Sequence, residues 1–145
     1  MRDENCIFCR IIGGEIPSRA IYEDEDFKVI LDASPASRGH ALILPKEHCA
    51  NIYEISDELL EKAAKLAKKL AAHMKDVLNC DGLNLLQNNG EVAGQTVFHF
   101  HMHLIPRYTG MKNSDLLNWT HEEFTAEEQD EICRKLKVHA AETVQ

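Results

Sequence analysis

A chain of 145 residues with 44% hydrophobic and 28% charged residues can bury a core as one globular domain without disulfide staples. Its net charge of −8 excludes a general nucleic-acid binder, which needs a basic surface to release counterions from phosphates. The start, Met1-Arg2-Asp3-Glu4-Asn5, is too polar for a signal peptide and no apolar run approaches a membrane span, so a cytoplasmic protein with no membrane partner is expected.

In chain order, Ile7 to Gly13 reads as a short helical turn ended by Gly13-Gly14. Ala20 to Glu23 and Phe27 to Leu31 read as strands, the second closed by the turn Asp32-Ala33-Ser34-Pro35. Gly39 to Pro45 reads as a buried strand that Pro45 ends. Ser56 is placed as an N-cap, with Asp57, Glu58 and Glu61 near the positive helix end. Leu59, Ala63, Leu66, Leu70, Met74 and Val77 recur at steps of three or four, which predicts one long amphipathic helix ending near Asn79 to Gly82. A strand from Leu83 to Gln87, a polar loop from Asn88 to Gln95 and a strand from Val97 to Ile105 stopped by Pro106 follow. Thr125 and Glu128 form a capping box for a last helix to about Val138. Short connections between strands favour antiparallel pairing and an α+β fold.

The chemistry concentrates in His99-Phe100-His101-Met102-His103-Leu104. On a strand, alternate side chains share a face, so three imidazoles would line one side and three apolar groups the other. A metal held by all three is disfavoured, because near-colinear ligands on one strand cannot make a tetrahedral set. Imidazole is largely neutral at pH 7, can attack phosphorus, and leaves well once phosphorylated. Just before it, Gly94-Gln95-Thr96 offers a glycine that allows close approach of backbone N–H groups to a phosphate, and a hydroxyl. The odd count of five cysteines argues against a disulfide framework. Cys80 and Cys133 fall in helical patterns and read as inert apolar residues, whereas Cys6 and Cys9 form a C-x-x-C pair open to metal, redox or structural readings.

The segment from Gly94 to Ile105 resembles the signature of the histidine triad (HIT) superfamily. Ile7-Phe8, Glu15-Ile16-Pro17, Leu31 to Pro35, Gly39-His40 and Leu44 to His48 match further, in the family's order, over about residues 5–107. The resemblance implies a single HIT domain over 1–145, with 108–145 as an extension. It also implies an antiparallel sheet that continues across a homodimer. The long helix would lie at that interface, packed through Ala63, Ala64, Ala67, Ala71 and Ala72. By resemblance, His101 is the nucleophile that forms a nucleotidyl–histidine intermediate, the carbonyl of His99 orients it, and His103 donates a proton. Asn88, Gly94, Gln95 and Thr96 would bind the α-phosphate region and Asp32 the ribose. Phe8, Ile11, Ile16, Ile30 and Leu42 would wall the base pocket. His40 stands near the triad in the family without a settled role. The zinc-containing branches of the superfamily further imply a structural zinc on Cys6, Cys9, His48 and His99. No organic cofactor and no catalytic metal are expected.

The leading reading is hydrolysis of purine nucleoside 5′-phosphoramidates, with an AMP-type nucleotide as partner. Cleavage of dinucleoside polyphosphates and nucleotidyl transfer to another acceptor are the enzymatic alternatives, and a non-catalytic nucleotide-binding regulator is the alternative of another class. The tail from Tyr108 departs from the short ending of the phosphoramidase branch; its acidic stretch from Glu122 to Glu131 reads as a solvated helix face, and Trp119 as lining a pocket or packing.

Overall fold

In the computed structural model, which describes residues 2–111 and 122–138, the alternating apolar runs become one five-stranded antiparallel sheet. The strands are β1 (Ala20–Glu23), β2 (Phe27–Leu31), β3 (Ala41–Pro45), β4 (Gly82–Leu86) and β5 (Met102–Arg107), in the order β1-β2-β3-β5-β4. The helices are α1 (Ile7–Ile12), α2 (Asp57–Leu78) and α3 (Ala126–Leu136). The chain divides into two compact units, Met1–Met111 and Lys112–Gln145. No helix among the described residues is long and apolar enough to cross a membrane.

The period of two along the strands decides what each face of the sheet meets. Phe27, Val29, Ala41, Ile43, Met102 and Leu104 pack with the buried stripe of α2. Ile30, Leu42 and Leu44 point the other way and pack with Cys6, Phe8, Cys9 and Ile11 from the N-terminus. Leu42 pairs with His103 across β3 and β5, so His103 belongs to this second face.

α2 starts where the sequence says it should. The Ser56 hydroxyl accepts from the Leu59 N–H at 3.2 Å, and Asp57 and Glu58 occupy the first turn. It stops at Asn79, whose φ of 51° is left-handed and whose N–H returns to the Lys75 carbonyl. Leu59, Ala63, Leu66, Ala67, Leu70 and Met74 are buried; the larger ones each contribute about 1.5–3 kcal/mol. Val77, expected on this stripe, is 66% exposed. Steps of four from Leu70 through Met74 lead to Leu78, which packs on the core in its place. Ala63 and Ala67 face this chain's own core, while Ala64 and Ala72 are exposed. Cys80 is buried but lies past the helix, and Cys133 is exposed on α3, so only the first behaves as an inert apolar residue.

The expected strand from Val97 begins only at Met102. The β3 ladder reaches β5 at Ile43↔Met102 and goes no further, because the preceding residues are bonded elsewhere. The Phe100 N–H donates to the Cys49 carbonyl at 2.7 Å, and the Gln95 side chain donates to the Val97 carbonyl at 3.0 Å. At the other end Pro106 sits inside β5, opposite Leu83 of β4, instead of stopping it. Pairing with β3 ends at Ala41↔Leu104, so that flank of β5 can carry a residue without an N–H.

In the second unit, Thr125 and Glu128 make the expected capping box, each bonding the other's backbone N–H at 3.1 Å. Its acidic residues are exposed, as a solvated face requires, and Ile132 and Leu136 are exposed beside them. Trp119 lies outside the described residues.

Candidate functional site

The bend before β5 splits the three expected imidazoles into two groups with different surroundings. His99 turns to the N-terminus, while His101 and His103 stay together with ring centroids 5.0 Å apart.

His99 is fully buried among sulfur and nitrogen atoms. Its Nδ1 lies 3.5 Å from Cys6 Sγ, 3.6 Å from Cys9 Sγ and 3.1 Å from His48 Nδ1; Cys9 Sγ lies 3.3 Å from the same atom of His48. Its Nε2–H donates to the Pro45 carbonyl at 2.8 Å. That bond fixes the tautomer and turns a lone pair on Nδ1 toward the two thiols. Burial holds the ring at a pKa of about 4, so it is neutral, as a ligand must be. Cys6, Cys9, His48 and His99 could thus hold a metal ion. A tetrahedral zinc with bonds of about 2.0–2.1 Å to N and 2.3 Å to S needs N···N edges of roughly 3.3 Å and N···S edges of roughly 3.6 Å. The three edges to His99 and the Cys9–His48 edge stand within a few tenths of an ångström of those figures, and all four donors lie within 4.8 Å of one another.

His101 is buried, and burial lowers its pKa. Its Nδ1–H donates to the His99 carbonyl at 2.6 Å. Nε2 is left with the lone pair, which is the state of a nucleophile. The edge of Phe8, carried by α1, stands on this ring at a centroid distance of 5.0 Å.

His103 is set by His40, whose role the sequence left open. The Ala36 N–H donates to His40 Nδ1 at 2.9 Å, so that nitrogen carries no proton and Nε2 does. His40 Nε2–H in turn donates to His103 Nδ1 at 2.9 Å, which places the remaining proton of His103 on its own Nε2. Burial pushes His103 down to about 4, with the His101 and His40 rings adding to the effect, and lowers His40 as well. Two adjacent neutral imidazoles thereby carry opposite faces: a lone pair on His101 Nε2 and a proton on His103 Nε2. Asp32, with one carboxylate oxygen accepting from the Ser34 N–H, sets the other 3.5 Å from His40 Nε2. Asp32, His40 and His103 are close enough to be taken for a metal site. The Ala36 N–H argues otherwise, since a metal on His40 Nε2 would force its proton onto Nδ1, against that donor.

Gly39 makes this placement of His40 feasible. Its φ is +90°, and a Cβ there would meet Leu78 Cδ1 at 2.5 Å.

The loop before the histidines is held by hydrogen bonds of its own. Gly94 has a φ of +95°, and its N–H closes a tight turn on the Glu91 carbonyl at 2.9 Å. Gln95 is fully buried: its Oε1 accepts from the Gly90 N–H, its Nε2 donates to the Ala50 and Val97 carbonyls, and its own N–H donates to Gly90. Gln95 is therefore a brace for the loop, with neither amide free for a substrate. Thr96 is exposed, and Asn88 packs against Gly94. Of the five apolar residues expected around a base, Phe8, Ile11, Ile30 and Leu42 are buried in one cluster and Ile16 packs against it. They lie on the sheet face that carries His103.

A family model described as HIT domain matches residues 13–110. The chain is 52% identical over 105 residues to "Protein hit" of Bacillus subtilis (strain 168), covering 72% of each chain. It is 41% identical over 134 residues to "Adenosine 5'-monophosphoramidase HNT1" of Saccharomyces cerevisiae, covering 92% of this chain and 82% of that one. A solved structure described as a Zn-bound histidine triad family protein from Mycobacterium smegmatis superposes with a TM-score of 0.70 at 36% identity, over 90% of this chain and 91% of that one. With the family model spanning most of the sheet and both groups of histidines, this chain belongs to the HIT domain family.

Proposed function

We propose that the chain hydrolyses purine nucleoside 5′-phosphoramidates through a covalent intermediate on His101. The observation that carries this reading is the pair of fixed tautomers, a lone pair on His101 Nε2 beside a proton on His103 Nε2. A relative 41% identical to this chain bears the name of an adenosine 5'-monophosphoramidase.

In the first half-reaction His101 Nε2 forms a bond to the α-phosphorus. The P–N bond to the leaving amine breaks with its electron pair on nitrogen, which accepts a hydrogen bond from the Nε2–H of His103 and takes its proton from solvent water. In the second, water attacks from the side the amine vacated and releases a proton to solvent, which balances the proton the amine took. The P–Nε2 bond breaks and its electron pair returns to His101. Splitting one displacement into two gives each step a leaving group that a single attack by water would lack. Asp32 is assigned to the ribose, Asn88, Gly94 and Thr96 to the phosphate, and the cluster of Phe8, Ile11, Ile16, Ile30 and Leu42 to the base. We assign His40 the task of holding the tautomer of His103.

His40 gives the reading a direct check. His40→Phe removes the donor to His103 Nδ1 and is expected to lower kcat about 10- to 100-fold with KM little changed, the size of losing one oriented hydrogen bond to the leaving group. His40→Gln, which keeps an N–H donor, should recover part of it. The substrate class is checked by turning over adenosine 5′-phosphoramidate against diadenosine polyphosphates. A kcat/KM about 100-fold higher for the phosphoramidate is expected. The reverse ratio would make the chain a dinucleoside polyphosphate hydrolase, and tight nucleotide binding with no turnover of either would make it a regulator.

Cys6, Cys9, His48 and His99 are assigned a structural zinc. Two thiols and two imidazoles gathered within 4.8 Å suit that ion, and such a site supplies folding free energy and no reaction step. Free thiols and thiolate ligands suit the reducing cytoplasm, where we place the protein. A homodimer that extends the sheet would join the edge of β4, where Leu85 is 54% exposed, with Ala71 and Ala72 of α2 beside Gly82 and Leu83.

A further inference from the structure

We propose that the groove between β1 and α2 is a docking site for an extended acidic segment of a partner protein, which adds as a strand to β1. The groove encloses about 580 Å³ on the α2 face of the sheet, opposite the histidines. Phe27, Leu66 and Leu70 line it, and α2 sets Lys62, Lys65, Lys69 and His73 along one wall.

Three observations point to the occupant. The first is the strand itself. β1 is terminal in the sheet, so one of its edges has no strand partner among the described residues, and all four of its residues are exposed. Folded proteins normally protect such an edge, and an edge left open is where a peptide adds by main-chain hydrogen bonds. The pairing register slips between Ala20 and Tyr22, and both Ile21 and Tyr22 line the groove, 46% and 37% exposed. A partner strand would cover them.

The second is charge. Three lysines against Asp24 and Asp26 leave the lining at +1 with His73 neutral, in a chain whose net charge is −8. The carboxylates are already engaged: Asp24 accepts from the N–H groups of Asp26 and Phe27 and from the Tyr22 hydroxyl, and Asp26 pairs with Lys62 at 3.1 Å. Among the described residues, neither Lys65 nor Lys69 is paired with a carboxylate. The free cations are on the helix wall.

The third is spacing. Lys65 and Lys69 are four residues apart, a rise of about 6 Å. Alternate side chains of an extended strand repeat every ~6.8 Å. An acidic residue at every second position therefore meets successive cations, while the residues between them face the other way. A compact anion would engage one step of this ladder, and a helical acidic segment would not lie along an open strand edge.

The test uses the full chain and fluorescein-labelled octapeptides of alternating Val and Glu, read by anisotropy and by amide NMR shifts. Binding with shifts confined to residues 20–27 and 62–73, weakening as salt rises, is expected. Lys65→Glu with Lys69→Glu should lower affinity about tenfold or more while nucleotide turnover is unchanged. A peptide with proline at two central positions should lose most of the binding, because it cannot complete the ladder. Equal binding of a Val–Lys octapeptide overturns the proposal. So does equal binding of the proline peptide, or of inorganic polyphosphate or anionic phospholipid vesicles with the same lysine dependence. Because turnover is measured on the same variants, loss of docking and loss of the catalytic reading are separate results.

Discussion

Replacing His101 with alanine is expected to lower kcat for adenosine 5′-phosphoramidate by about 10⁴-fold, within the range that follows loss of a covalent nucleophile. The fold should survive. The side chain is buried, but its one described hydrogen bond runs to the carbonyl of His99, two residues away, so the variant leaves a single acceptor unmatched at a cost of about 1–3 kcal/mol. Circular dichroism and metal content should therefore match the parent, and nucleotide binding should persist through the apolar cluster and Asp32. An acid-quenched mixture of parent and substrate, analysed by intact mass, should contain a nucleotidyl adduct that the variant lacks. The comparison with His40→Phe is informative, because that substitution disturbs a proton's position and leaves the nucleophile in place. It should slow the reaction while retaining the adduct. If His101→Ala keeps more than about one hundredth of the parent kcat, catalysis does not run through this imidazole.

What could be read from the sequence, and what could not, divides by the range of the interaction. The cap at Ser56, the capping box at Thr125 and the stripe from Leu59 to Met74 rest on contacts within one or two helical turns, and each is visible as spacing. The alternation through His103 and Leu104 likewise survives in the faces those residues take. The misplaced strand start at Val97 has a different origin. The segment is drawn out of the ladder by bonds to Cys49, Pro45 and the thiols, which come from residues 51–93 positions away. No local pattern announces them. Gln95 reads as a polar loop residue, and only its burial against Ala50, Gly90 and Val97 reveals a brace. The HIT resemblance brought His40 near the site, but its task depends on the N–H of Ala36 in a turn and on a ring 63 residues away. Val77 lost its place to Leu78 because the period of a helix is 3.6, and steps of three and four both look correct in a short window.

Breaking the metal-ligand set should have the largest effect on stability, and it should reach the catalytic ring through α1. That helix is six residues long, too short to hold itself together in water. It is held by the Cys6 cap, by burial of Phe8, Cys9 and Ile11, and by the cluster of sulfurs and imidazoles that joins it to His48 and His99. Cys9→Ala removes one of the four proposed zinc ligands and leaves three that compete poorly for a tetrahedral ion. Zinc bound to the folded chain contributes to folding free energy, and loss of about 3 kcal/mol of that linkage corresponds to a Tm lower by about 10 °C for a chain of this size. Metal content by plasma mass spectrometry should fall from one ion per chain to near none. A strong chelator should lower the Tm of the parent to the same value and leave the variant unchanged, which separates metal loss from simple removal of a buried sulfur. The effect on turnover should be partial and should not mimic His101→Ala. Phe8 stands on the His101 ring from α1, and the His99 carbonyl orients it from the other side. A loosened α1 therefore blurs the position of the nucleophile without removing it. A Cys9→Ala protein that keeps stoichiometric metal, or melts within about 2 °C of the parent, would mean that the thiols pack as ordinary core and that α1 is anchored by apolar burial alone.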